Sequence, residues 1–247
     1  MAATSKTHQT DDAGNGGAGN GGPGRAGRTL TFVVYERLRN DIMNGALTPG
    51  APLRSEFLRQ RYEVGNSPVR EALNRLSAEG LVARRDQKGF QVASISEADL
   101  LETIKVRLQL EETALREAIA HGGTAWEEGL VLANYRLSNV AQSATEGVYS
   151  VNPDWERLHG KFHMALISAC GSRWLERFCH QLMDRADRYR RLAFATHYAD
   201  RDEVDEHRAI TEAATGRRAD EAVGLLKAHY NWTADMILKS LPALVER

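Results

Sequence analysis

Gly65-Asn66-Ser67-Pro68-Val69-Arg70-Glu71-Ala72-Leu73-Asn74-Arg75-Leu76-Ser77-Ala78-Glu79-Gly80-Leu81-Val82 decides how this chain reads. Ser67 is a good N-cap, and Pro68 suits the first helical position, where a missing N–H costs nothing. Val69, Ala72, Leu73 and Leu76 recur at i, i+3, i+4 and i+7, the spacing of a buried helical stripe. Ser67, Arg70, Asn74 and Ser77 fall on the other face, where each can hydrogen-bond a base edge or a phosphate. Gly80 ends the helix.

The flanking sequence supplies companions for that helix. Val34, Leu38, Ile42 and Met43 predict a first helix stopping near Asn44-Gly45. Thr48-Pro49-Gly50 is a turn signal, and a short helix is expected over Ser55 to Tyr62. Downstream, Leu81 to Arg85 and Phe90 to Ala93 read as strands joined by Asp86-Gln87-Lys88-Gly89, a hairpin. Three helices and a hairpin over 29–95 are the layout of a winged helix-turn-helix. A helix fits the major groove of B-DNA while its partner helix braces the backbone. Arg70 can then pair with guanine or a phosphate, Arg84, Arg85 and Lys88 flank the wing, and Gly89 permits close approach. Winged helices also dock proteins, and surface arginines are often only solvated, so periodicity alone leaves both readings open.

Composition narrows the class. The 247 residues are 42% hydrophobic and 26% charged, the balance of a soluble globular protein. No apolar run approaches the roughly 20 residues that cross a bilayer, and the N-terminus lacks the apolar core of a secretory signal. Cys170 and Cys179 make neither a disulfide framework nor a cysteine-rich zinc site, which points to the cytoplasm. Residues 1–28, with eight glycines between Asp11 and Arg28, are expected to be a disordered tail. Residues 29–95 carry ten Lys/Arg against seven Asp/Glu, whereas 96–247 carry nineteen against twenty-four. A mildly basic segment ahead of an acidic one suits a nucleic-acid reader joined to a sensing or assembly domain.

Residues 96–247 read as helices throughout, an antiparallel all-α bundle with 144–152 as a loop. Ser96 caps the first helix, Thr124 and Glu127 form a capping box for the second, and Asn152-Pro153 opens the third, which runs to Gly171. Further helices are expected over Arg173–Ala195, Asp202–Thr215 and Ala219–Ser240. His159 and His163, four apart, project from one face of the third helix. His207 lies in a row with Val204, Ile210, Thr211 and Ala214, and His229 in a row with Ala222, Leu226, Thr233 and Met236. Four inward histidines on three helices can converge on a divalent cation, zinc first, with nickel or manganese also compatible with imidazole. The plainer reading makes each a hydrogen-bonded core histidine.

These segments carry a resemblance. Thr48-Pro49-Gly50, Leu53-Arg54-Ser55, Ser67-Pro68-Val69-Arg70-Glu71-Ala72-Leu73, Ala78-Glu79-Gly80-Leu81-Val82 and Lys88-Gly89-Phe90 resemble the DNA-binding domain of GntR-family bacterial regulators. Leu158-His159-Gly160-Lys161-Phe162-His163, Ala169-Cys170-Gly171-Ser172, Glu206-His207-Arg208-Ala209-Ile210 and Ala228-His229 resemble the effector domain of its FadR subfamily. The resemblance implies DNA contacts at Arg54, Asn66, Ser67, Arg70, Asn74, Lys88 and Gly89, and a metal held by His159, His163, His207 and His229. His159 stands where Asp is commonest in such proteins, so the site trades an anion for a neutral imidazole. Asn66 stands where arginine is common, which shifts preference from guanine toward adenine.

In similar regulators small organic acids are typical effectors, and Arg107 lies in an inward row with Leu100, Ile104, Glu111 and Leu115. It reads either as a fork for a ligand carboxylate or as an i,i+4 partner of Glu111. Arg190 is a second candidate of the same kind. The expectation is a cytoplasmic regulator, most often a repressor in similar proteins. It is expected to bind a pseudo-palindromic operator as a homodimer, with Ala93-Ser94-Ile95 as hinge. The rival is a metal-dependent hydrolase with an accessory winged helix. It lacks a carboxylate within the His159/His163 motif to serve as base, and Glu206 points about 100° away from His207 on a helix.

Overall fold

The computed structural model describes residues 29–85, 89–145, 148–194, 201 and 203–245. The expected tail over 1–28 and Lys88 at the wing tip lie outside the described residues. The chain is mainly α-helical, with a winged helix-turn-helix followed by a helical bundle.

In the winged segment α1 spans Leu30–Met43, α2 Ser55–Tyr62 and α3 Asn66–Ala78, followed by β1, Val82–Arg85, and β2, Gly89–Val92. The strands pair antiparallel with Val82 opposite Val92 and Arg85 opposite Gly89. The approach to α2 adds a short third edge, since Leu53 N donates to Phe90 O at 2.8 Å and Val92 N to Ala51 O at 2.9 Å. Leu38, Ile42, Leu58, Val69, Leu73, Leu76 and Val92 close one core between these elements. Each buried side chain of this size contributes about 1.5–3 kcal/mol, so the stripe of α3 anchors the helix and frees its other face.

The start of α3 corrects the expectation at Ser67. Gly65 is the N-cap, and the helix begins at Asn66. The Ser67 hydroxyl turns along the helix and donates to Glu71 at 3.0 Å. Pro68 is still accommodated, because no N–H of the first turn has an intrahelical partner.

In the bundle α4 spans Glu97–His121, α5 Thr124–Ser138, α6 Pro153–Ile167, α7 Arg173–Phe194, α8 Glu203–Thr215 and α9 Ala219–Val245. Ser96 caps α4 by accepting from Asp99 N, and Asn152 caps α6 ahead of Pro153. Thr124 does not cap α5. Gly123 holds that position, and Glu127 pairs with Arg217 instead of reaching back. The expected loop at 144–152 contains a second hairpin, with β3, Ser143–Thr145, pairing irregularly with β4, Val148–Val151. The third helix stops at Ile167, short of Gly171, and α9 continues past Ser240 through Pro242. Val204, expected inward, is exposed.

Two apolar clusters organise this half. Leu115, Leu130, Phe162, Leu166, Ile210 and Leu226 fill the bundle centre. Ile95, Leu100, Ile104, Tyr189, Leu192, Ile237 and Leu241 join the interdomain segment to α4, α7 and α9. The helix α7 also reaches the winged half. Arg39 pairs with Asp184 at 2.6 Å, Arg188 Nη2 donates to Ala93 O at 2.6 Å, and Arg191 Nη1 donates to Asn44 Oδ1 at 3.2 Å. Gly45, at φ +75°, lies against Leu192.

Candidate ligand cavity and nucleic-acid interface

The polar face of α3 is open. Asn66, Ser67, Arg70 and Asn74 are exposed, as are Arg54 at the N-cap of α2 and Gly89 at the start of β2. Arg70 and Asn74 make no side-chain hydrogen bond or ion pair among the described residues, so both remain available to an outside partner. Gly89 adopts φ +81°, a backbone setting that favours glycine. Arg84 lies over the Phe90 ring at 5.4 Å, which steadies a cation beside the wing.

The four histidines come together. His159 and His163 reach inward from α6, His207 from α8 and His229 from α9, and all are buried. One ring nitrogen from each lies within 4.8 Å of the others. Donors held at ~2.0–2.1 Å from one ion stand about 3.4 Å apart in a tetrahedral set, so the most widely spaced nitrogens close by roughly an ångström to share an ion.

The supporting hydrogen bonds set the tautomers. Tyr230 donates its hydroxyl proton to Glu111 and therefore accepts from His163 Nδ1 at 2.9 Å. Glu206 accepts from His229 Nδ1 at 2.8 Å. Both rings thus carry their proton on Nδ1 and turn the Nε2 lone pair to the centre, the outer-shell arrangement that orients metal-binding imidazoles. His207 Nε2 is buried without a hydrogen-bond partner among the described residues, as expected of an atom able to bind a metal. His159 stacks on Trp155 at 4.5 Å, its Nε2 is 3.1 Å from that of His163, and its Nδ1 has no partner.

Electrostatics agree with this geometry. Burial, reinforced by the neighbouring imidazoles, pushes His159, His163 and His207 well below the ordinary histidine range. Burial also dominates at His229, held at about 4 although Glu206 favours its charge. Burial opposes the charge on Glu206, but hydrogen bonds from His229 and Arg201 prevail and bring it to about 2. Neutral imidazoles, with the His163 and His229 lone pairs turned inward, fit a borderline divalent cation.

Beside the histidines is a tight cavity lined by Arg107, His159, Asp187, Arg190, Glu203, His229 and Tyr230, with a free volume of about 20 Å³. Arg107 realises its pairing with Glu111, Nε to Oε1 at 2.7 Å, while Nη2 is buried with no hydrogen-bond partner among the described residues. Arg190 donates to Glu156 at 2.6 Å and lies near Asp187, while its Nη1 is likewise orphaned. Each guanidinium therefore keeps one desolvated donor in reserve. A larger cleft of about 750 Å³ lies between the winged segment and α7, but cations and carboxylates alternate along its walls.

Glu206, Tyr230, Arg201 and Glu203 are site residues that sequence spacing does not reveal. Glu206 turns away from its neighbour His207, as helical geometry requires, and meets His229 across the α8–α9 interface. No local pattern encodes that meeting.

An open-faced recognition helix on a winged fold, joined to a bundle with a buried histidine cluster, defines a DNA-binding transcription regulator. Residues 30–92 match the family of bacterial regulatory proteins called gntR, and 102–231 match the FCD domain. The chain belongs to the GntR family, in its FadR-like subfamily with an FCD C-terminal domain. It is 37% identical over 202 residues to the HTH-type transcriptional regulator BphR of Paraburkholderia xenovorans, covering 82% of each chain. It is 35% identical over 200 residues to the HTH-type transcriptional repressor GlaR of Escherichia coli, covering 79% of this chain and 90% of that one. A GntR regulator from Rhodococcus has the same fold, with TM-score 0.67 and 22% identity over 85% of this chain and 98% of its own. Among the described residues no helix is long and apolar enough to cross a membrane.

Proposed function

We propose that this chain is a cytoplasmic, ligand-responsive repressor. It binds a pseudo-palindromic operator as a homodimer, and a small organic acid held beside a metal ion in the bundle controls its affinity. Asn66, Ser67, Arg70 and Asn74 read or clamp the major groove, Arg54 braces the backbone, and Lys88 and Gly89 bring the wing to the phosphates. Two-fold protein symmetry matches the symmetry of paired half-sites. His159, His163, His207 and His229 hold the ion, zinc first and nickel or manganese next. Bound there, the ion supplies positive charge and open coordination positions for a carboxylate.

The observation that carries this reading is the set of buried, unpartnered donors in one cavity. Arg107 Nη2 and Arg190 Nη1 are buried without a hydrogen-bond partner among the described residues, an arrangement that costs stability unless an anion compensates. The free cavity has room for about one water, so an acid enters only by moving a wall. One wall is α7, which also holds Ala93, Asn44 and Arg39 of the winged half. Ligand binding and the placement of the winged helix thus share one structural element, and an acid that favours one placement shifts the balance. That GlaR is named a repressor supports the direction of control.

The test is a DNA-binding assay on the chain's own upstream region, repeated with a panel of small organic acids. The reading predicts a shift that at least one acid weakens. A shift that no acid and no chelator alters contradicts the sensing half.

A further inference from the structure

Glu203 is an acid where an anion-binding cavity has no evident use for one. It is the first residue of α8, 7% exposed, and lines the same cavity as Arg107, Arg190, His159 and His229. Its Oε2 accepts from Gln142 Nε2 at 3.2 Å, and its Oε1 lies 3.5 Å from Arg201 Nη1. Arg201 does not need it as a counter-ion. Glu206 already takes that guanidinium through Nε at 2.7 Å and through Nη2. A carboxylate has about four acceptor positions and two are taken, so Glu203 keeps acceptor capacity. Burial raises its pKa, against the pull of Arg190 and Arg201, which marks it as poorly compensated where it stands.

The cavity therefore offers a defined pattern. Arg107 Nη2 and Arg190 Nη1 are donors without acceptors among the described residues, and Glu203, with Asp187, brings carboxylate acceptors to the same cavity. The complementary molecule carries a carboxylate and, beside it, a group that donates. A second carboxylate against Glu203 meets like charge in a low-dielectric site. An ammonium satisfies Glu203 but meets the guanidiniums of Arg107, Arg190 and Arg201. A hydroxyl donates without bringing charge.

We propose that Glu203 is the specificity-determining residue of the cavity and selects hydroxycarboxylic acids, accepting a hydrogen bond from the ligand hydroxyl while Arg107 and Arg190 take its carboxylate. This rests on the carboxylate-effector reading above. A site built to bind a hydroxyl discriminates strongly against the analogue that lacks it, because the buried acceptor is then left unpaired.

The experiment is calorimetric titration of the full-length protein with matched acids: lactate, propionate and alanine, and malate, succinate and aspartate. The hydroxy member of each set is expected to bind at least about tenfold tighter than its deoxy and amino partners. Glu203→Gln keeps an acceptor and removes the charge, so it retains the hydroxyl preference while succinate tightens. Glu203→Leu removes the acceptor, so the hydroxy-to-deoxy ratio falls to near one. Circular dichroism melting of both variants checks that they fold, and the ratio reports selectivity apart from overall affinity. Deoxy or amino members binding as well as hydroxy members in the wild type, or a folded Glu203→Leu keeping the wild-type ratio, overturns the assignment of Glu203 alone. Absence of binding by every acid overturns the carboxylate reading and this inference with it.

Discussion

Arg70 and His229 show the two ways in which single residues matter here. Arg70 is exposed on α3 with no side-chain hydrogen bond or ion pair among the described residues, so its replacement leaves the fold intact. Arg70→Ala is expected to weaken operator binding roughly 5- to 150-fold, from the ~1–3 kcal/mol of a bidentate contact. An electrophoretic shift checks this, with an unchanged melting temperature as control. His229 is buried, neutral and held at about 4, whereas an unfolded chain gives histidine its ordinary value near 6.5. Between those values the unfolded state binds more protons, so stability is complete above about pH 6.5 and is lost as pH falls toward 4. Urea midpoints at pH 7.5, 6 and 5 should decline in that order, and a flat series contradicts it. Zinc added at neutral pH is expected to raise the melting temperature, because a ligand bound only by the folded state stabilises it. Replacing His163, His207 and His229 together should remove that rise while sparing DNA binding.

The histidines and both arginines were legible because helical period alone turns them inward. Their partners were not. Glu206 with His229, and Glu111 with Tyr230 and His163, meet only after helices distant in sequence have packed. Sequence offered the Arg107–Glu111 pair and a ligand fork as rivals, yet the guanidinium pairs through Nε and leaves Nη2 unpartnered among the described residues.

Among the elements, α2 was readable to the residue because a turn signal precedes it and its apolar positions are few and regular. The hairpin of β3 and β4 was not readable. Its strands are short, their register is irregular, and Ser143 Oγ accepts from Ser150 N at 2.9 Å where a regular ladder would have backbone pairs. Ser67 misled because serine before proline is a frequent cap, whereas here glycine caps and serine joins the first turn. The α1–α7 junction gives a test at this scale. Gly45 adopts φ +75°, and a Cβ there would stand 2.7 Å from Leu192 Cδ2. Gly45→Ala is expected to cost about 1–2 kcal/mol, lowering the melting temperature by roughly 2–8 °C for a chain this long. An unchanged melting curve would show that the junction yields freely.

Across the whole molecule, α7 is the element through which cavity and DNA face meet. Asp187 and Arg190 line the cavity, and on the adjoining strip of the helix Asp184, Arg188 and Arg191 reach the winged half. Arg39 and Asp184 are partly buried at 2.6 Å, so Asp184→Asn loosens the junction without touching the cavity. That variant is expected to bind effector within about twofold of wild type and to respond to it with an altered change in DNA affinity, a split that separates coupling from binding.

The most direct measurement follows fluorescence anisotropy of labelled upstream DNA against the full-length protein, with and without a saturating hydroxy acid, for the wild type and for Arg107→Ala/Arg190→Ala. The wild type should lose DNA affinity when the acid is added, and the double variant should hold DNA equally well with or without it. Equal loss of DNA affinity in both proteins would contradict control of the recognition helix from this cavity.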